Sequence, residues 1–364
     1  PRWPVWCVRS AYEAGARDVL VNWSDNEVSR SRMELGSEEA LTDNKPYQLR
    51  RYLTTPRARR RLRPPHPCRR PRSLRRSGRR EDQPCERCAA QVHGSVAGVH
   101  HERPRPVSIA AMPSAPWAKK MFPELDEAAA IEKLWQLIFD VCRVTGGDPV
   151  NEWKAHLDRL TSLKDKMNAL DLESVHFESS NGTDLTVGIA DKATWESAAS
   201  VSEKGVVFLP NIPTEEVFTA PHKDKVNGVV YGTKPTSSTA SSSRLPCHLQ
   251  RRQGRGAWRE EGADLLGQLL DTDEGARSIG EVALVPASSP INRSGALFYS
   301  TLFDENAACH IAFGASYPGT TADGTRLSKE ELLERGMNQS AIHEDVMIGA
   351  EDSEITANAA TAAP

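Results

Sequence analysis

Three short stretches of this chain concentrate residues that bind divalent metals. The first is the Glu215-Glu216 pair in NIPTEEVFTAP. The second is Glu281, followed by His310 and Tyr317 in FDENAACHIAFGASYP. The third holds His343 and Asp345 in SAIHEDVMIG. Carboxylates and imidazoles drawn from separate elements are what a hydrolytic centre with two divalent ions requires. Each stretch alone is weak, and their order together is the signal.

The elements that must position these groups can be read from periodicity. His343 and Asp345 are two apart in an apolar run, so on a strand they share one face while Ile342, Val346 and Ile348 face the core. A surface His-Asp pair gives the same pattern. A helix capped by Asp304 and running to about Ser316 is predicted, which puts His310 and Tyr317 two turns apart on one face. Glu281 opens a strand reaching Val285, where an unpaired carboxylate is costly, so it needs a metal or an arginine. Glu215 and Glu216 follow a short strand (205–210) and a proline turn, so one points in and one out. Asp304 and Glu305 are expected to cap rather than to ligate, and His222 is expected to be exposed.

Around them, Ile131, Leu134, Trp135, Ile138 and Val141 predict an amphipathic helix stopped by Gly146-Gly147, and Trp153 to Met167 a second. Val175 and Phe177, then Leu185 and Val187, alternate about Asn181-Gly182 as a hairpin. Leu265–Leu270 reads as helical, and Ser328 with Glu331 forms a capping box for a helix closed by Gly336. Near the start, residues 11–41 read as a helix end, a Gly turn, a strand and a second helix.

At 364 residues two domains are expected, here 1–170 and 171–364. Net charge −3 and pI about 6.4 exert no strong pull toward nucleic acid or membrane. No apolar run approaches the roughly 18 residues of a membrane span, and no signal peptide opens the chain. The first residue is Pro1, so a missing start is expected. Seven scattered cysteines, with Cys7, Cys142 and Cys309 in well-patterned sequence, suit a reducing cytoplasm.

Two segments break the pattern. Residues 50–105 are dominated by Arg, Pro, Ser and Gly, and 236–259 lack apolar periodicity. Dense like charge reads as a nucleic-acid-binding or inert insert. GC-rich coding sequence read out of frame gives the same mixture, and it accounts better for segments that sit where ordinary elements belong. Cys85 and Cys88, with His93, His100 and His101, complete no zinc-finger spacing.

The phrases NIPTEEVFTAP, VNGVVYGTKP, LLDTDEGARSIGEVALVP, SPINRSGALFYSTLFDENAACHIAFGASYP and NQSAIHEDVMIG, with weaker EAGARDVLVNW, PWAKKMFP and GTDLTVGI, resemble the thermophilic metalloaminopeptidases of the aminopeptidase T type. The resemblance covers nearly everything outside the two segments. It implies a two-domain α/β protein, an N-terminal α/β domain followed by a mixed α/β catalytic domain, acting as a homodimer. It also implies two divalent ions (cobalt, zinc, magnesium or manganese) and removal of N-terminal residues from peptides with a free N-terminus. The implied ligands are Glu216, Glu281, His310, Tyr317, His343 and Asp345, with Glu215 the alternative in its pair. Either Glu215 or Glu216 would carry a proton from the metal-activated water to the leaving amine. The family begins before the point where this chain starts, and it ends in a strand after the HEDVMIG region, whereas this chain is expected to trail off in ITANAATAAP. The rival readings are an iron-dependent ring-opening dioxygenase, a nucleic-acid-binding protein using the Arg-rich segment, and an inactive copy of the peptidase.

Overall fold

The computed structural model describes residues 3–37, 106–202, 204–235, 246–250, 253–254 and 263–359. The Arg-rich segment, with Cys85, Cys88, His93, His100 and His101, lies outside the described residues. The chain divides into two compact units, Pro1–Val92 and His93–Pro364. This division does not fall at 170, where the sequence suggests a boundary.

In the first unit, α1 (Trp3–Glu13) is followed by α2 (Asn26–Leu35), whose first turn is capped by the Asp25 carboxylate accepting the Glu27 and Val28 N–H groups. The strand expected between them does not form. No described strand lies beside it to satisfy its backbone, and Leu20 and Trp23 are exposed.

The second unit begins with β1 (Ile109–Ala110), α3 (Ala115–Met121), α4 (Glu127–Val141) and α5 (Pro149–Ala169). Asp126 caps α4, and Ala130, Leu134, Ile138 and Val141 form its buried stripe. That stripe packs on Ile291, Phe298 and Phe303, at about 1.5–3 kcal/mol per large side chain buried. Asp148 caps α5, with Pro149 in the first turn. Leu160 and Met167 of α5 join the core of the sheets, which is why this helix belongs to the second unit.

Strands β2 (Leu172–Glu178) and β3 (Asp184–Ile189) form the predicted hairpin. Short strands follow: β4 (Glu196–Ser197), β5 (Ser200–Val201), β6 (Val207–Phe208), β7 (Asn211–Ile212) and β8 (Val217–Thr219). Next come the long β9 (Pro221–Tyr231), then β10 (Pro246–Gln250), β11 (Gln253–Gly254) and α6 (Ala263–Leu270). The chain closes with β12 (Ile279–Leu284), α7 (Pro290–Arg293), α8 (Thr301–Asp304), β13 (His310–Gly314), α9 (Lys329–Glu334), β14 (His343–Met347) and β15 (Glu354–Ala359).

Two antiparallel sheets dominate. One has six strands in the order β11-β10-β9-β3-β2-β15, and the other five in the order β14-β13-β12-β8-β4. Only Ala220 separates β8 in the second from β9 in the first. Phe177, Leu185, Val187 and Val226 from one sheet share a core with Val282, Ile311, Phe313 and Val346 from the other. This is the two-layer solution for sheets with one apolar face each.

Three expectations need correction. Asp304 does not open a helix running to Ser316: α8 ends there, a 3-10 turn (Glu305–Ala307) follows, and His310 begins β13. Ile311 and Phe313 alternate into the core, and β12 and β14 pair with β13 on both sides. Sheet pairing thus overrides the helix preference of the Asn-Ala-Ala run. The chain also does not trail off after Asp345, because β15 pairs with β2. Finally, the second anomalous segment contains β10 and β11, which pair with each other, and β10 also pairs with β9. The rest of that segment lies outside the described residues.

Candidate metal centre

The five-stranded sheet places the ligand candidates by register. Residues opposite each other on adjacent strands share a face. Glu281 is opposite Ala312, which is opposite Asp345. His310 is opposite both Ala283 and Met347, and His343 is opposite Gly314. Ala283, Ala312 and Gly314 therefore leave a trough on this face, and longer polar side chains from neighbouring positions fill it. Val282, Ile311, Phe313 and Val346 point the other way, into the core.

A β-bulge aims Glu281. Ile279 pairs with Phe313 while Glu281 pairs with Ala312, so the extra residue on β12 is Gly280. Without it, Ile279 and Glu281 would share a face. With it, Ile279 is buried in the core and Glu281 faces the trough. The close approach at Gly280 leaves no room for a side chain, since a methyl there would run into the Gly314 carbonyl. Gly314 itself has φ 101°, a conformation natural only to glycine.

The ligand atoms fall into two groups with one shared member. Glu216, Glu281 and His310 converge, as do Glu281, His343 and Asp345, with the atoms of each group within 4.8 Å of one another. His310 Nε2 is 3.2 Å from Glu216 Oε2, 3.9 Å from Glu281 and 4.0 Å from Asp345. His343 Nε2 is 3.1 Å from Glu281 and 3.5 Å from Asp345. Each imidazole donates its other N–H to a backbone carbonyl: His310 Nδ1 to Ala308 at 3.2 Å and His343 Nδ1 to Ala315 at 2.8 Å. A carbonyl can only accept, so Nδ1 carries the hydrogen and Nε2 faces the carboxylates. Among the described residues, Glu216 Oε2 is a buried side-chain oxygen with no hydrogen-bond partner. Such an atom is costly unless a cation completes it.

The carboxylates around the two imidazoles also shift their titration. Burial opposes charge on His310, but the nearby carboxylates of Glu216, Asp345 and Glu281 hold it well above the usual imidazole range. The same contest raises His343, where Asp345 and Glu281 win. Burial raises Glu281 despite His343, whereas at Asp345 burial is outweighed by His343 and His310 together, and its carboxyl is lowered. Tyr317 lies tilted on His343 at 4.6 Å between ring centres and meets Phe218 edge-on at 5.9 Å. Burial and the surrounding carboxylates push its phenol well above the usual tyrosine range.

Glu215 points elsewhere. Its carboxylate is held by both terminal nitrogens of Arg143, the second at 2.8 Å. His222, expected to be exposed, is partly buried against Gly336 and accepts the Asp224 N–H. Asp304 accepts the Phe298 and Ser300 N–H groups, closing a loop rather than capping a helix. Glu305, read as a cap, instead stands close enough to the centre to feel its charges. Burial, Asp345 and Glu216 all raise its carboxyl well above the usual range. Nothing local distinguishes Glu305 from a capping residue, because its neighbours arrive from β12, β13, β14 and the loop before β8.

Residues 5–363 match the model of the thermophilic metalloprotease family M29. Aminopeptidase 2 of Geobacillus stearothermophilus is 37% identical over 358 residues, which is 95% of this chain and 84% of that protein. Aminopeptidase T of Thermus aquaticus is 46% identical over 243 residues, 66% of this chain and 58% of its own. The solved structure of wild-type AmpT from Thermus thermophilus matches with TM-score 0.80 and 34% identity, covering 99% of this chain and 88% of its own. A family model matched almost end to end, with a relative 37% identical over 95% of the chain, makes this protein a member of the M29 metalloproteases.

Proposed function

We propose that the chain is an aminopeptidase that uses two divalent ions to hydrolyse N-terminal residues from peptides. The reading rests above all on two ligand groups that share Glu281 and include a buried carboxylate oxygen lacking a partner. Glu216, Glu281 and His310 would hold one ion, and Glu281, His343 and Asp345 the other, with Tyr317 beside His343. Three carboxylates over-balance a single divalent ion. Two ions slightly exceed them, which leaves charge for a hydroxide. When bound, such ions polarise a carbonyl and lower the pKa of water enough to supply a nucleophile near neutral pH.

The protein's own groups do the rest. Nδ1 hydrogen bonds fix both imidazoles with Nε2 inward. Ala283, Ala312 and Gly314 keep the trough open. A carboxylate must also move a proton to the leaving amine. Glu215 is committed to Arg143, so this role falls to Glu216 or to Glu305, whose 3-10 turn packs on β14. Homodimer assembly and a cytoplasmic setting belong to the same reading. Among the described residues, no helix is long and apolar enough to cross a membrane.

The test uses the full chain, freed of metal and reloaded with cobalt, zinc, manganese or magnesium. Two ions per chain should restore release of the first residue from unblocked peptides, while N-acetylated peptides remain intact. One iron per chain with oxygen-dependent ring opening would overturn the proposal in favour of a dioxygenase.

A further inference from the structure

Glu215 and Glu216 are neighbours with opposite fates, and the segment before Glu216 is fastened at three polar groups. His156 Nε2 donates to the Thr214 carbonyl at 2.8 Å. The Glu215 N–H donates to Asn306 Oδ1 at 2.7 Å. The Glu215 carboxylate receives Arg143 through two nitrogens. Both Glu215 and His156 are almost fully buried, and the Arg143 side chain is only 16% exposed. Burial lowers the pKa of His156 below the usual imidazole range, and the charge of Glu215 opposes this without reversing it. Arg143 is therefore the cation that balances Glu215. Asn306 also holds Glu305 at 3.3 Å. Among the described residues, Glu216 Oε2 is a buried side-chain atom left without a hydrogen-bond partner, and it lies beside His310 Nε2.

Arg143 occupies an unusual backbone position. Helix α4 ends with the Val144 N–H bonded to the Phe139 carbonyl and the Arg143 N–H to Asp140, and Arg143 has φ 56°. Helix ends of this kind ordinarily place glycine in the left-handed position. A side chain there costs of order 1 kcal/mol or more. Trp153 Nε1 donates to the Cys142 carbonyl at 2.8 Å and ties this corner to α5. Local preference favours glycine here, and the residue present is the one that reaches Glu215.

We propose that Arg143 and Glu215 are positioning residues for the ion held by Glu216, Glu281 and His310. The pair fixes the backbone from which Glu216 enters the centre, and it spans 72 residues from a helix corner outside the ligand-bearing sheet. The second group, Glu281, His343 and Asp345, stands on β12 and β14, away from the segment that the pair fastens. The inference rests on the two-ion reading and sharpens it, because the two ions should depend unequally on Arg143.

The experiment titrates Co²⁺ into the metal-free full chain, following heat and the visible spectrum. The variants are Glu215→Gln, Arg143→Lys and the double variant Arg143→Gly with Glu215→Gln. The double variant relieves the left-handed residue and removes both charges, so no unpaired ion stays buried. Wild type should bind two ions in separable steps. Outer partners of metal ligands are typically worth about 10–100-fold in affinity. Glu215→Gln and the double variant should weaken one step by about that factor, with its spectrum altered, and leave the other within about twofold. Arg143→Lys keeps the charge but not the fork and should recover part of the loss. Two unchanged steps in a double variant that melts at a different temperature would make the pair merely structural and overturn the proposal. Equal weakening of both steps would also overturn it. A wild type that binds fewer than two ions would instead sink the two-ion reading beneath it.

Discussion

Each large sheet carries a cluster of histidine and carboxylates, and only one of them has the features of a metal site. On the six-stranded sheet, His176 Nε2 lies 3.6 Å from Glu178 and 3.5 Å from Asp184, and its Nδ1 meets Thr186 at 2.8 Å. On the five-stranded sheet, His310 and His343 make similar distances to Glu216, Glu281 and Asp345. The residue types and spacings nearly coincide. Burial differs: the Glu178 and Asp184 side chains are 60% and 76% exposed, whereas those of Glu281 and Asp345 are 5% and 9%. Water satisfies the first cluster at little cost. The second excludes water and leaves an oxygen of Glu216 unsatisfied, so it has a need that a cation would meet.

The strongest way to test this contrast is to remove the shared ligand. Glu281→Gln should abolish both binding steps and lower peptidase activity by about 10³-fold or more, since metal polarisation is worth several kcal/mol. Elemental analysis of the purified variant alongside a peptide assay checks both. Metal binding and activity close to wild type would break the comparison. Next in size, Glu305→Gln should keep both ions while turnover drops by about 10²-fold or more, as loss of a general acid–base group does. An unchanged kcat would return the proton-carrying role to Glu216.

Gly280→Ala attacks the bulge. The added methyl must displace the Gly314 backbone, at about 1–3 kcal/mol, and thermal unfolding with metal titration should show lower stability and weaker binding together. Lost stability with intact binding would mean that the bulge does not aim Glu281.

The smallest effects belong to the six-stranded sheet. Asp352 accepts the Ser179 hydroxyl and the Ser180 N–H, which pulls its carboxyl down to about 2. A carboxylate with a lowered folded pKa contributes stability above its unfolded value, about 3.9, and loses it as pH falls through the folded value. Asp352→Asn should therefore lower the melting temperature slightly at neutral pH. The gap to wild type should close as pH falls from about 4 toward 2. A gap independent of pH would show that the charge is irrelevant. His176→Ala should leave metal content and activity unchanged and shift stability by no more than about 0.5 kcal/mol. Lost metal would erase the distinction between the clusters.

Local pattern served well where one period dominates. The stripe of Leu134 and Ile138, the Asn181-Gly182 hairpin and the Ser328–Glu331 capping box all form as their spacing requires. His343 and Asp345 share a strand face, as alternation demands. It failed at His310, because an Asn-Ala-Ala run satisfies a helix as well as a strand and the flanking strands decide. Strict alternation would put Ile279 and Glu281 on one face, and the bulge at Gly280 sends each to its own. The Glu305 environment and the Arg143–Glu215 pair were illegible, since their partners are distant in the chain.

By itself, then, the sequence determined the inventory: the metal-binding residue types, the amphipathic helices, the hairpin and the phrases that mark the family. These depend on neighbours a few residues apart. Tertiary structure decided which groups meet water and which meet each other. It buried Glu281 while leaving Glu178 in solvent, and turned Glu216 toward the histidines while Glu215 turned to Arg143. Burial and long-range pairing depend on the packing of whole sheets, and no local window of sequence contains that sum.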